Sequence, residues 1–249
     1  MRLAALLACL AMPALAQPDA HIVVLGEVHD NADAHLGQAA MLDALQPTAV
    51  VFEMLSPEDA RRIDAERHLA EVIWDAGNWP DYALYAPIFD ASGSARIIGA
   101  AAPRESVRSV YGDGPAALFG PDAARFGLEQ PLPDDQQTAR EALQFAAHCE
   151  AMPLEMMPGM VDVQRYRDAV FARAALEALE TFGPPVAVIA GNGHARTDWG
   201  VPAMIAKAAP GVTTHAIAFT EEQTDIPYDE TRVVPPAERD DPCSALKTN

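Results

Sequence analysis

Apolar residues in the chain gather into five short runs separated by stretches of helical periodicity. The runs are HIVVLG (21–26), AVVFEM (49–54), ARIIGA (95–100), VAVIAG (186–191) and VTTHAIAF (212–219). They are aliphatic or β-branched with little polar alternation, the pattern of strands covered on both faces. DAHLGQAAMLDALQ (33–46) lies between the first two, apolar at helical spacing and followed by Pro47. After the second run comes SPEDARRIDAERHLAEVIWDAG (56–77), where Ser56 serves as N-cap, Pro57 takes the first helical position and acids fill the first turn. Strand and helix alternating in this order predict an α/β fold, a mostly parallel central sheet flanked by helices.

Residues 101–185, between the third and fourth runs, are too many for a single crossover. Within them DDQQTAREALQFAAHCEAM (134–152) and DVQRYRDAVFARAALEALETF (162–182) read as long helices, and YGDGPAALFGPDAARFG (111–127) as loop or short helices. The expectation is a helical cap, residues 104–182, inserted between the third and fourth strands of one domain spanning 17–225. A Pro-rich tail, 226–249, follows it, and no internal repeat is present.

Half of the 249 residues are apolar, enough for one core. The opening MRLAALLACLAMPALA has one positive charge, an apolar run and a small-x-small ending at Ala14-Leu15-Ala16, which predicts a secretory signal peptide cut after Ala16 and a periplasmic or secreted protein. That run is too short for a membrane span, and no later run approaches the necessary length. Leu6-Leu7-Ala8-Cys9 is a loose lipobox with only eight residues before its cysteine, so lipid attachment through Cys9 is the weaker processing signal. Cys149 and Cys243 then remain, either as free thiols or, as an oxidising compartment favours, as a disulfide tying the tail to the body. The formal charge of −19 argues against nucleic acid and acidic membranes as partners.

Ligands of open α/β sheets bind at the carboxyl ends of the strands. Glu27, His29, Asp30 and Asn31 leave the first run, Glu53 closes the second, and GNGHARTDWG (191–200), with Asn192, His194, Arg196 and Asp198, leaves the fourth. Asp30 or Asn31 suits the N-cap of the next helix. Capping leaves Glu27 and His29 unexplained, and a buried carboxylate requires a partner. Glu27, His29, Glu53 and His194 form a set with two chemistries open to it. Glu27, His29 and His194 have the donor types for a divalent metal such as zinc or manganese. Alternatively, the set runs acid–base chemistry without metal. Gly191-Asn192-Gly193 reads either as an ordinary turn or as an anion cradle. NWPDYALYAPIF (78–89) concentrates aromatic residues suited to core packing or to a flat ligand, and HCEAMPLEMMPGM (148–160) places His148 among methionines that fill cores, line apolar pockets or ligate haem iron.

Taken in order, GEVHDN, FEML, NWPDYALYAPIF, HCEAMPLEMMPGMVDVQRYRDAVFARA and IAGNGHARTDWGVP resemble the ChaN-like haem-binding uptake proteins, within the superfamily that holds Tiki-type metalloproteases and erythromycin-esterase-like hydrolases. The resemblance spans residues 20–220. It implies an α/β core with a helical cap, export, and a role in haem or iron uptake. Family members are often lipoproteins, whereas this chain has the better cleavage site at Ala16. Hydrolytic relatives imply catalytic roles for Glu27, His29, Glu53 and His194, so a metal-dependent or Glu/His-based hydrolase is the alternative function. Haem binding in the family implies an axial tyrosine, for which Tyr82, Tyr85 and Tyr166 are candidates, with His148 or a nearby Met in competition. Arg165 and Arg167 would pair with propionates, or lie on a solvated helix face. The partners implied are haem or another small molecule, a second copy as a homodimer, and an outer-membrane uptake receptor. A purely structural role explains the fold but gives Glu27 and His29 no purpose.

Overall fold

The computed structural model describes residues 19–241 with Cys243 and Ser244, so the expected leader and Cys9 lie outside the described residues. Six strands form one parallel sheet: β1 (Ile22–Glu27), β2 (Ala49–Phe52), β3 (Arg96–Gly99), β4 (Val186–Gly191), β5 (Thr214–Thr220) and β6 (Glu230–Val233), in the order β3-β2-β4-β1-β5-β6. The helices are α1 (Ala32–Leu45), α2 (Pro57–Ala65), α3 (Ala70–Asp75), α4 (Tyr82–Ala91), α5 (Arg104–Phe119), α6 (Asp134–Ala147), α7 (Met157–Phe182), α8 (Asn192–Ala195) and α9 (Val201–Ala208).

The two faces of the sheet carry separate cores, as uninterrupted apolar strands require. On one, Val23, Leu25, Val50 and Phe52 pack against α1 and α4 through Met41, Leu42, Tyr85 and Ile88. On the other, Val24, Val51 and Val188 meet Tyr166, Phe171 and Ala172 of α7. The helices inserted between the third and fourth strands thus cap the sheet as expected, with α7 lying directly on the strands. Ala169, Ala172, Ala175 and Ala178 are buried along one side of α7, small enough to let the helix approach the strands, while α5 and α6 pack on α7 from outside.

Two expectations change, while residues 111–127 take the short-helix and turn form expected of them. The helix proposed over 56–77 starts as expected, with Ser56 accepting from the Asp59 N–H at 3.1 Å, but breaks at Glu66 into α2, a short 3-10 turn and α3. Asp64 accepts the Ile97 N–H at 2.8 Å and Arg67 donates to the Ala95 carbonyl, which ties the break to β3. Residues 111–127 contain the second half of α5, bent where Gly114 (φ 76°) precedes Pro115. The tail supplies β6, a polar, half-exposed edge strand whose Arg232 covers the Phe219 ring. The cysteines form the Cys149–Cys243 disulfide, joining the tail to the turn after α6. No helix among the described residues is long and apolar enough to cross a membrane.

Candidate functional site

The sheet register brings the polar ends of β1, β2 and β4 together. Glu27 pairs in register with Gly191, and the residue after β2, Glu53, donates its N–H to Ile189. The Glu53 side chain then accepts from the Gly191 N–H at 2.7 Å. At Gly26 a Cβ would lie 2.5 Å from the Asn192 Oδ1, so only glycine lets α8 sit against the end of β1.

Glu27 is held from behind. Its Oε1 accepts from the Tyr85 hydroxyl at 2.5 Å and from His29 Nδ1–H at 2.7 Å, and its Oε2 lies 3.5 Å from His35 Nε2. Burial pushes this carboxyl up, but the hydrogen bonds and charge from His29 and His35 outweigh it and hold the pKa at about 2. Burial and the Glu27 charge push the Tyr85 phenol up, so it stays a neutral donor. Burial alone would lower His29, yet the bond to Glu27 and the nearby Glu53 charge raise it above its ordinary value.

A second histidine–carboxylate pair stands opposite. His194 Nδ1–H donates to Asp168 at 2.6 Å, and Phe171 meets the imidazole edge-on with centroids 4.8 Å apart. Burial raises the Asp168 carboxyl despite the His194 charge. Glu53 lies between the pairs, its Oε1 3.5 Å from His194 Nε2 and accepting from Arg167. Burial would raise Glu53, but His194 and Arg167 pull it below the usual carboxylate range.

These groups floor a cleft of about 810 Å³, within the range of small-molecule sites. Its walls mix Leu143, Ala147, Val161 and Ile226 with Arg140, Arg167, Arg196 and Arg239. Beyond the Glu53–Arg167 pair is a second cleft of about 770 Å³, bounded by Ser56, Trp74, Trp79 and Val163. Trp79 also contacts the His29 ring, with centroids 5.0 Å apart.

The family model described as haem-binding uptake, Tiki superfamily, ChaN matches residues 14–205. The chain belongs to this family. The solved structure described as cofacial heme binding to ChaN of Campylobacter jejuni is similar at 18% identity, covering 83% of this chain and 84% of that one at a TM-score of 0.63, and shares its fold. The type III effector HopBA1 (13% identity, 80% and 77% covered) and a succinoglycan biosynthesis protein (13%, 81% and 66%) align at a TM-score of 0.40, and nothing is built on them. No curated protein matches the chain.

Glu27, His29, Glu53 and His194 thus meet at one cleft of this ChaN-family chain, whereas the residues expected to touch haem lie elsewhere. Tyr85 is fully buried behind Glu27, Tyr82 packs on Trp74 and Phe89, and Tyr166 lies in the core against Phe119. Arg165 donates to the Gly127 and Gln130 carbonyls, and His148 Nδ1 lies 2.8 Å from the Gln144 carbonyl. None of the five lines either cleft, because their polar atoms are spent on internal bonds or their rings on packing. The metal set fails for a similar reason. Among the described residues no three His, Cys, Asp or Glu side chains converge as ligands. Glu27 turns toward Tyr85 and His35, and the Nδ1 of His194 is committed to Asp168. The Gly191 N–H of the glycine turn is also taken, by Glu53, so it is not free to receive an anion. Asn31, not Asp30, caps α1, accepting from the Ala34 N–H at 2.9 Å, while Asp30 pairs with Arg239.

The sequence reading missed Gln164, Asp168, Arg140 and Tyr228. Gln164 and Asp168 are one turn apart on α7 and interrupt an otherwise apolar, Ala-rich face, a signal that helical periodicity carries. Tyr228 donates to the Asn192 carbonyl at 3.1 Å, and burial pushes its phenol up to about 12.

Proposed function

We propose that this chain is an exported haem-binding protein serving haem or iron uptake, with haem held in the cleft above the ends of β1, β2 and β4. The family match over residues 14–205 carries this reading. The donor set fits the group: His29 presents an imidazole one-third exposed on the cleft wall, its Nδ1–H fixed by Glu27, and metal-bound histidines are characteristically oriented by such a carboxylate. Its Nε2 lies 3.0 Å from where a Cβ on Gly191 would stand, beside the cleft floor. Bound haem supplies an iron centre that takes an imidazole nitrogen, together with two acidic groups that the cleft arginines can pair with. Leu143, Ala147, Val161 and Ile226 supply apolar surface for the macrocycle.

Haemin titration of residues 17–249, followed by absorption spectroscopy, tests the assignment. A saturable Soret shift that changes position in His29→Ala is the expected result. No saturable shift with wild-type protein would sink it. Export is tested by the mass of the periplasmic protein, which should begin at Gln17. Light scattering with and without haemin reports whether two copies pair, and co-purification tests an outer-membrane uptake receptor as the partner.

A second reading, hydrolysis by Glu/His chemistry, draws on the Asp168–His194 pair and on Glu53 beside it. A buried carboxylate orienting an imidazole is the arrangement of a general base. Turnover of ester substrates lost in both His29→Ala and His194→Ala, with the fold intact, would support it; turnover unchanged from wild type in both variants would remove it.

A further inference from the structure

Four guanidinium groups line the cleft, and three already have carboxylate partners. Arg167 pairs with Glu53, Arg196 makes two bonds to Asp198 at 3.0 and 2.8 Å, and Arg239 bridges Asp30 and Glu221. Arg140, on α6, has none among the described residues. It is only 7% exposed, its Nη2 donates to Gln136 at 2.8 Å, and its Nε has no hydrogen-bond partner. The guanidinium lies 4.7 Å from the Trp199 ring centroid, and Arg196 lies over the same ring at 3.7 Å. Its other charged surroundings are mixed, with Arg165 and Arg196 opposing the positive form and Asp168 and Asp198 favouring it from a distance. Burial dominates and brings Arg140 down to about 10. Lys207 close by is lowered by burial and by the Arg140 and Arg165 charges. The chain as a whole carries −19, so Arg140 is a buried cation with no direct carboxylate partner among the described residues of an otherwise acidic protein.

Buried guanidinium groups are normally paired, because an isolated charge taken out of water is costly. One that lines a ligand cleft without a carboxylate partner is placed to take a counter-ion from the ligand. We propose that Arg140 anchors an anion subsite that receives a carboxylate of an amphiphilic, aromatic ligand. The planar fork suits a carboxylate. The neighbouring Leu143, Ala147, Trp199 and Ile226 favour an acid attached to apolar surface over a doubly charged, strongly hydrated phosphate. The proposal takes the cleft from the haem reading but does not require the ligand to be haem.

The test uses two ligand pairs against wild type, Arg140→Met and Arg140→Gln, by calorimetry at fixed ionic strength. The first pair is 2-naphthoate and its neutral analogue 2-naphthylmethanol. Wild type should prefer the acid about tenfold, and both variants should lose that preference, as expected for a charge-assisted hydrogen bond. The second pair is haemin and its dimethyl ester, with the same expected pattern. Both variants should also keep or raise the thermal midpoint of the free protein, since an unpaired buried charge has gone. Equal preference for the acid in wild type and variants, or no acid preference in wild type, overturns the subsite. If haemin fails to bind while the naphthoate preference depends on Arg140, the haem reading falls and the subsite stands. If haemin binds wild type saturably but the naphthoate preference is absent or does not depend on Arg140, the subsite falls and the haem reading stands.

Discussion

Replacing Tyr85 with Phe removes one oxygen from a site that depends on it. That hydroxyl donates to Glu27 at 2.5 Å in a fully buried setting, and the carboxylate it serves is ionised well below its ordinary range, at about 2 against 4.5. A shift of that size corresponds to roughly 3 kcal/mol of folding stability at neutral pH. The sign follows from the depression: the contribution is present above the unfolded pKa near 4.5 and is lost as pH falls from there toward about 2. A hydrogen bond to a charged group contributes about 1.5–3 kcal/mol. Tyr85→Phe should therefore cost about 2 kcal/mol at pH 7, or roughly 4–8 °C in midpoint for a chain of this size. Within the window the cost should shrink as pH falls, toward that of a neutral bond, about 1 kcal/mol. Urea unfolding of wild type and Tyr85→Phe from pH 7 to pH 3 gives a difference curve in which the other acidic groups, Glu53, Asp64 and Glu221 included, cancel to first order. A difference below about 0.5 kcal/mol at pH 7, or one independent of pH, would refute the reasoning that the Tyr85 hydroxyl is a charge-assisted partner of a Glu27 carboxylate that His29 and His35 keep ionised.

The His29 imidazole should titrate above its ordinary 6.5 by NMR, and Glu27→Gln should bring it down; a midpoint below 6.5 in wild type contradicts the pairing. Because the folded value is raised, the stability from this group is complete below 6.5 and fades as pH rises through the folded midpoint, the opposite direction to Glu27. Gly191→Ala has permitted backbone angles (φ −59°), but its Cβ would sit 3.0 Å from His29 Nε2, so haemin affinity should fall while the thermal midpoint changes little. Cys243→Ser opens a link spanning 94 residues and should cost about 2–4 kcal/mol, with reductant having no further effect on the variant.

The parallel sheet and the meeting of three strand ends were legible because both follow from apolar runs and from topology. Glu27, His29, Glu53 and His194 come from segments as far apart as β1 and β4, yet a parallel register places their carboxyl ends on one rim whatever the loops do. What escaped was anything decided by side-chain direction. Tyr85 sits in a segment rich in aromatics, and only the packing of α4 on α1 shows that its hydroxyl points into the sheet. Arg165 and Arg167 are two apart on α7, so they face different ways: one reaches loop carbonyls and the other Glu53. The strand β6 escaped because an edge needs no apolar run, and ETRV has none.

The two histidines are presented by the same device but not with the same freedom. In each, Nδ1–H is committed to a buried carboxylate, Glu27 for His29 and Asp168 for His194, which fixes the ring and leaves Nε2 as the atom with a choice. His194 Nε2 faces Glu53 Oε1 at 3.5 Å and its side chain is 6% exposed, whereas the His29 side chain is 34% exposed on the cleft wall. A nitrogen already opposite a carboxylate gains less by turning to iron, because Glu53 would lose a partner in a place where an unpaired charge is expensive. On these grounds His29, rather than His194, is the histidine that would hold the iron of haem in the proposed complex. His29→Ala should move the Soret band of the haemin complex, while His194→Ala should leave its position unchanged and lower only thermal stability. A Soret band displaced by His194→Ala and untouched by His29→Ala would reverse the assignment.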